Sequence, residues 1–170
     1  MMYSVLRLFK TSIVLFVIFS ATVLSQENTN TRQIGLSASL QDNQIDFLVP
    51  IWISSRITIA PSFGAAWIQD AGTDLHFGVM PKYYFSDTKV SPFIGIRAAL
   101  LRAIPSGGTG VTDWLFGLSF GGEYFFDKNF SVGVESQLNY TISDERSMRY
   151  GNPGKSNLNT ATAVYASIYF

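Results

Sequence analysis

The stretch Trp114-Leu115-Phe116-Gly117-Leu118-Ser119-Phe120-Gly121-Gly122-Glu123-Tyr124-Phe125-Phe126, followed after Asp127-Lys128-Asn129 by Phe130-Ser131-Val132-Gly133-Val134-Glu135-Ser136-Gln137-Leu138-Asn139-Tyr140-Thr141-Ile142, decides the fold. In its first half Trp114, Phe116, Leu118, Phe120, Gly122, Tyr124 and Phe126 alternate with Asp113, Leu115, Gly117, Ser119, Gly121, Glu123 and Phe125. In its second half Phe130, Val132, Val134, Leu138, Tyr140 and Ile142 share one face, and Ser131, Gly133, Glu135, Gln137, Asn139 and Thr141 share the other. Successive strand residues point to opposite faces, so each half is a strand with one apolar face and one face of mostly small or polar residues. Both runs exceed the usual strand length of about 5–6 residues. The polar triplet between them is a tight hairpin turn.

The same rhythm runs upstream and downstream, giving eight segments in all. Ile34, Leu36, Ala38 and Leu40 mark the first; Ile45, Phe47, Val49, Ile51 and Ile53 the second; Ile57, Ile59, Phe63, Ala65 and Trp67 the third. Leu75, Phe77, Val79, Tyr83 and Phe85 mark the fourth, and Ile94, Ile96, Ala98 and Leu100 the fifth. The chain ends on an eighth through Leu158, Val164, Ala166, Ile168 and Phe170. The connections after even segments are tight: Ser54-Ser55-Arg56, Ser86-Asp87-Thr88-Lys89 and Asp127-Lys128-Asn129. Those after odd segments are Asp42-Asn43-Gln44, Gln69 to Thr73, the glycine-rich Ile104 to Val111, and the long charged Ser143 to Asn157. Turns at one end and longer loops at the other predict an eight-stranded antiparallel up-and-down barrel with both termini on the turn side. Pro50, Pro61, Pro81 and Pro92 fall in the turn-side halves of these segments. Proline cannot donate to a sheet ladder, so bulges or frayed pairing near the turn-side rim are what would accommodate them, with a shorter barrel only if several strands break there.

Composition narrows the function classes. The 170 residues include no cysteine, which excludes disulfides, thiol catalysis, cysteine-held zinc and a lipoprotein anchor. Only 14% are charged, with Lys plus Arg equal to Asp plus Glu at 12 each, so no net field favours nucleic acid. A single histidine argues against a metal site, and no cofactor is expected. Arg7 and Lys10, the apolar run Ile13 to Leu24 and the site Val23-Leu24-Ser25 before Gln26 read as a cleaved secretory signal over residues 1–25. That run is too short to span a bilayer, which takes about 20 residues. Residues 26–170 are then one barrel domain.

Period two is shared by soluble and membrane barrels, and the polar face separates them. A soluble barrel turns that face to water and loads it with Lys and Glu. Here it holds mainly Gly, Ser, Ala, Thr and Asn, while most charges sit in the connections. Small residues suit the narrow lumen of eight strands, and the apolar face suits lipid, where only a helix or a closed barrel satisfies the backbone. Trp67 and Trp114 lie toward the loop end, and Tyr83, Phe85, Phe126, Phe130 and Phe170 toward the turn end, as interfacial girdles require.

The ending Ala163-Val164-Tyr165-Ala166-Ser167-Ile168-Tyr169-Phe170 and the segment Phe120-Gly121-Gly122-Glu123-Tyr124-Phe125-Phe126 with Asn129-Phe130-Ser131-Val132-Gly133 resemble the small OmpA/OmpX-like outer-membrane β-barrels, grouped as porin-like. The resemblance implies a monomer in a Gram-negative outer membrane, in contact with lipid and lipopolysaccharide. It also implies insertion by the barrel assembly machinery, with Phe170 as the assembly signal.

Several polar residues are candidates for function. Lys82, Arg97, Glu123 and Glu135 share the lumenal face and are expected to form a compensating charge network, either as lumen filling or as a gate. His76 is the sole imidazole, with Asp74 on its face, and opens the reading of a lipid A-modifying enzyme. Arg146, Arg149 and Lys155 in the long loop are candidate contacts for lipopolysaccharide phosphate or a surface partner. The main expectation is a non-enzymatic outer-membrane barrel with a structural, surface-contact or narrow-pore role. A soluble periplasmic lipocalin-like carrier and a lipid A enzyme are the alternatives. Deleting Phe170 is expected to lower the amount of barrel in the outer-membrane fraction; unchanged assembly would remove the signal role from that residue.

Overall fold

The computed structural model describes residues 33–41, 44–68 and 72–170, and the expected signal segment 1–25 lies outside them. The described residues form nine strands: β1 (Gly35–Gln41), β2 (Gln44–Leu48), β3 (Ile51–Ser54), β4 (Ile57–Ile68), β5 (Gly72–Tyr84), β6 (Val90–Pro105), β7 (Val111–Phe125), β8 (Phe130–Ile142) and β9 (Ser156–Tyr169). All pair antiparallel in the order β2-β1-β9-β8-β7-β6-β5-β4-β3, and a further β2–β4 pairing closes the sheet on itself.

Strands β2 and β3 are one barrel strand interrupted at Pro50. Around the interruption the ladder continues: Val49 N–H donates to the Pro61 carbonyl at 2.9 Å, the Pro50 carbonyl accepts from Gly35 N–H at 2.8 Å, and Trp52 N–H donates to the Gln33 carbonyl at 2.9 Å. Only the donor that proline lacks is missing. The architecture is therefore an eight-stranded closed barrel, as the period predicts.

The prolines disturb it less than expected. Pro61, Pro81 and Pro92 lie inside continuous strands, and their rungs pair Pro61 with Val79, Pro81 with Ile59 and Pro92 with Gly122. Between β5 and β6 the register resumes at Lys82↔Gly95 without slipping from Val79↔Ala98. Three irregularities lie on the turn side: the break at Pro50, the missing rungs of Met80 and Pro81 with β6, and a register shift in β3 between Trp52 and Ser54. The barrel is not shortened, because β4 to β9 each run 12 to 16 residues. Two loops shrink accordingly. The fifth segment extends through Arg102 to Pro105, leaving residues 106–110 as the glycine-rich loop, and β9 begins at Ser156 rather than after Asn157.

The apolar face is outside. Leu118, Phe120, Ile96 and Leu158 are 53%, 60%, 56% and 65% exposed, whereas Ser119, Ser131 and Thr141 on the other face are fully buried. A soluble monomer rarely exposes an apolar patch of more than a few hundred Å², so this wall is built for lipid. Outward aromatics gather at both ends: Trp67 and Trp114 toward the loops, and the contacting rings of Tyr83 with Phe85 and of Phe126 with Tyr124 and Phe130 toward the turns. The lumen departs from the expected small-residue filling. Its turn-side end is packed with Trp52, Tyr84, Phe93, Phe125, Tyr165 and Tyr169. We expect the protein to leave membranes only with detergent and to run differently on gels before and after boiling; solubility without detergent would contradict the outward apolar wall.

Candidate functional site

The lumen is the site, and alternation decides what enters it. Even positions of β5, odd positions of β6, β7 and β8, and odd positions of β9 point inward, which places Lys82, Arg97, Glu123, Glu135, Tyr165 and Tyr169 in one interior.

The structure links three of the four expected network residues, Lys82, Glu135 and, through Gln137, Arg97, and sets Glu123 apart. Lys82 Nζ lies 2.8 Å from Glu135 Oε2 across the barrel, and also sits over the rings of Phe93 and Tyr165 at 4.2 and 4.1 Å. Both charges are buried, so removing either partner strands the other at a cost of about 3–5 kcal/mol. Arg97 donates to the Gln137 side chain, and Gln137 in turn donates to Glu135. Among the described residues, Glu123 joins no cation. Its carboxylate accepts from Tyr84 at 2.6 Å and Tyr165 at 3.0 Å on one oxygen, and from Tyr169 at 2.9 Å and Ser131 on the other.

Four hydroxyl donors saturate the roughly four acceptor positions of a carboxylate. Hydrogen bonds to a charged group contribute about 1.5–3 kcal/mol each, and together they offset the several kcal/mol of burying an ion. The tyrosines reach Glu123 because two of them lie over cross-strand glycines. Tyr165 pairs with Gly133 and Tyr169 with Gly35, and a β-carbon would stand 2.3 Å and 2.7 Å from the respective rings. Below the Lys82–Glu135 pair a cavity of about 20 Å³, edged by Ser37, Thr58, Ser167 and the three tyrosines, has room for about one water.

The loop end carries a second cluster that the sequence did not reveal. Arg149, expected on the loop surface, turns back into the barrel mouth. Its Nη1 and Nη2 donate to Asp74 at 2.7 and 2.6 Å, and its Nε to Asp113 at 3.2 Å. Asp113 also accepts from Ser147 Oγ at 2.7 Å and from the Asp144 N–H at 2.9 Å. Gly151 and Gly154 take φ of +69°, which lets the loop double back above this anchor. Burial opposes the Arg149 charge, but the hydrogen bonds and charges of Asp74 and Asp113 outweigh it and raise the guanidinium pKa above its ordinary value. Arg149 is thus spent on the fold, whereas Arg146 and Lys155 remain exposed.

His76 lies between the carboxylates of Asp46 at 3.7 Å and Asp74 at 3.5 Å, with the Gln44 amide against Nδ1. The series Asp46, His76, Asp74, Arg149, Asp113 therefore spans the mouth from β2 to β7. Among the described residues no group of three or more His, Asp or Glu is placed to hold a metal. Phe170 follows β9 and is exposed.

With this geometry in hand, the class is that of small eight-stranded barrels. The fold matches the N-terminal β-barrel domain of Pseudomonas aeruginosa OprF, with a TM-score of 0.56 and 13% identity over 85% of this chain and 100% of that one. It matches Neisserial surface protein A as well, with a TM-score of 0.56 and 16% identity over 81% of this chain and 93% of that one. At such identities the likeness is one of fold, the fold that the sequence resemblance implies. No protein-family model and no curated protein matches the chain.

Gly133→Val is expected to push Tyr165 off the wall and away from Glu123, lowering stability by about 1–3 kcal/mol. Glu123→Gln should lower it as well, by weakening charge-assisted bonds. Unfolding in urea, followed by gel mobility in detergent micelles, measures both; native-like midpoints would show that the tyrosine cluster does not hold the barrel.

Proposed function

We propose that the protein is a non-enzymatic, exported barrel of a Gram-negative-type outer membrane that serves as a structural and surface-contact element. The carrying observation is that side-chain contacts cross the lumen at three levels. Aromatic rings and Glu123 fill the turn side, the Lys82–Glu135 and Arg97–Gln137 contacts cross the middle, and Arg149 spans Asp74 and Asp113 at the mouth. An eight-stranded barrel has little interior to begin with, and here side chains take it.

The same observation weighs against the other readings. The lumenal cavity below Lys82 has no space for an apolar ligand of the kind a carrier holds. The contacts of His76 are two carboxylates and an amide, and a triad for lipid chemistry needs a nucleophile in hydrogen-bond reach of the base. Surface contact then falls to the outer wall and to the exposed part of the long loop, including Arg146 and Lys155.

Planar-bilayer recordings test the reading. The native protein is expected to be electrically silent, and Arg149→Ala combined with Lys82→Ala to gain small, flickering conductance. Steady conductance from the native barrel would instead favour the narrow-pore role.

A further inference from the structure

Arg102 is, among the described residues, the one charge on the outer wall. Among the described strand residues that face outward, from Leu36 on β1 to Ile168 on β9, all others are uncharged. A guanidinium facing hydrocarbon is expensive, so its height on the wall decides its meaning.

That height follows from the register. The outward residues of β6 from Val90 to Leu100 pair with those of β7 from Tyr124 to Trp114 and are apolar or proline throughout except for Ala98 and Gly122, which carry no polar side chain. Ten residue steps at about 3.3 Å cover about 33 Å along the strand. At a tilt of about 40° this is about 25 Å along the membrane normal, the height of an outer-membrane apolar band. The next outward rung is Arg102↔Thr112, directly above Leu100↔Trp114. Arg102 therefore stands at headgroup level on the loop side, one rung above Leu100 and Trp114 and one below Ile104, the last outward residue of β6.

Its donors are available there. Nη1 donates to Thr112 Oγ1 at 2.8 Å, which orients the guanidinium and leaves the threonine hydroxyl hydrogen free to donate. Among the described residues no carboxylate lies within ion-pair distance of Arg102, in contrast to Arg149 and Lys82. Leu75 flanks it on β5, and Trp114, stacked on Phe116, lies below. The arrangement offers a planar cationic fork and a hydroxyl for a phosphate, above an apolar and aromatic surface for acyl chains.

We infer that Arg102 and Thr112 form a binding site on the outer wall for the phosphate group of a membrane lipid in the loop-side leaflet, with its acyl chains lying along Leu75, Leu100 and Trp114. The inference rests on the outer-membrane reading, in which that leaflet presents phosphorylated lipid A. It places the lipid contact on the barrel wall instead of on Arg149.

The test uses the full-length folded barrel in dodecyl maltoside, which carries no phosphate, titrated with lipid A and read by native mass spectrometry. The native protein should retain one lipid A, Arg102→Ala should lower the apparent affinity about tenfold, as loss of charge-assisted bonds predicts, and Lys128→Ala in the turn at the opposite end should leave it unchanged. Arg102→Lys should restore part of the loss, because charge returns without the fork. Millimolar inorganic phosphate should not displace the lipid; displacement would assign the site to a soluble anion and overturn the inference. Equal retention by the native and Arg102→Ala proteins, both showing the heat-dependent gel shift of a folded barrel, would overturn it too. A protein lacking that shift and soluble without detergent would instead bring down the membrane reading beneath it.

Discussion

Backbone hydrogen bonding without water is the constraint on which this structure depends. In hydrocarbon each unpaired N–H or C=O costs several kcal/mol, so a sheet that enters lipid must have no edge. Closure here falls on the weakest sequence available, the short strands β1 to β3 and the Val49-Pro50 junction. The register of β1 with β9 joins the first and last strands over six rungs from Gly35↔Tyr169 to Leu40↔Val164. The β2–β4 pairing and the bonds from Val49 and Gly35 to proline carbonyls complete the circle. Proline is tolerated because it retains its acceptor: the carbonyls of Pro50, Pro61 and Pro92 each receive a backbone N–H.

Closure also creates an interior that must be made from the other half of every strand. With eight strands that interior is too narrow for bulk water, so polar side chains within it need one another. Two solutions coexist. Lys82 and Glu135 compensate by opposite charge, whereas Glu123 is held by neutral hydroxyls alone. The hydroxyl solution demands large side chains converging on a small volume, and glycine at positions 35 and 133 supplies the space in which Tyr169 and Tyr165 lie flat. Glycines that look like strand weaknesses in the sequence are thus the seats of the tyrosines that close the turn side.

Alternation made the strands and the two faces legible in the sequence, and with them the inward direction of Lys82, Arg97, Glu123 and Glu135. It did not say who meets whom. Lys82 on β5 meets Glu135 on β8 across the lumen, a juxtaposition set by the stagger of the closed sheet rather than by sequence neighbourhood. The end of β6 is hidden because the apolar alternation stops at Leu100, and Ile104 and Pro105 read as the start of the glycine-rich loop, although Arg102 continues the outward face. Arg149 was hidden for a different reason. A loop charge is ordinarily solvated, and its inward turn depends on Asp74 and Asp113 arriving from separate strands.

The balanced composition, 12 cationic against 12 anionic residues, acquires its meaning from position. Among the described cations, Lys82 and Arg97 lie in the lumen, Arg149 spans the mouth, Arg56, Lys89 and Lys128 occupy the turns, and Arg146 and Lys155 the long loop. Only Arg102 lies on the wall, one rung above Leu100 and Trp114. A bilayer enforces this sorting, since a charge facing the bilayer midplane costs about 2–4 kcal/mol and one near the interface about 0–1. The low charge content is therefore the mark of the band itself, and the residue at its upper border is the place where the wall passes from a hydrocarbon solvent to an ionic one.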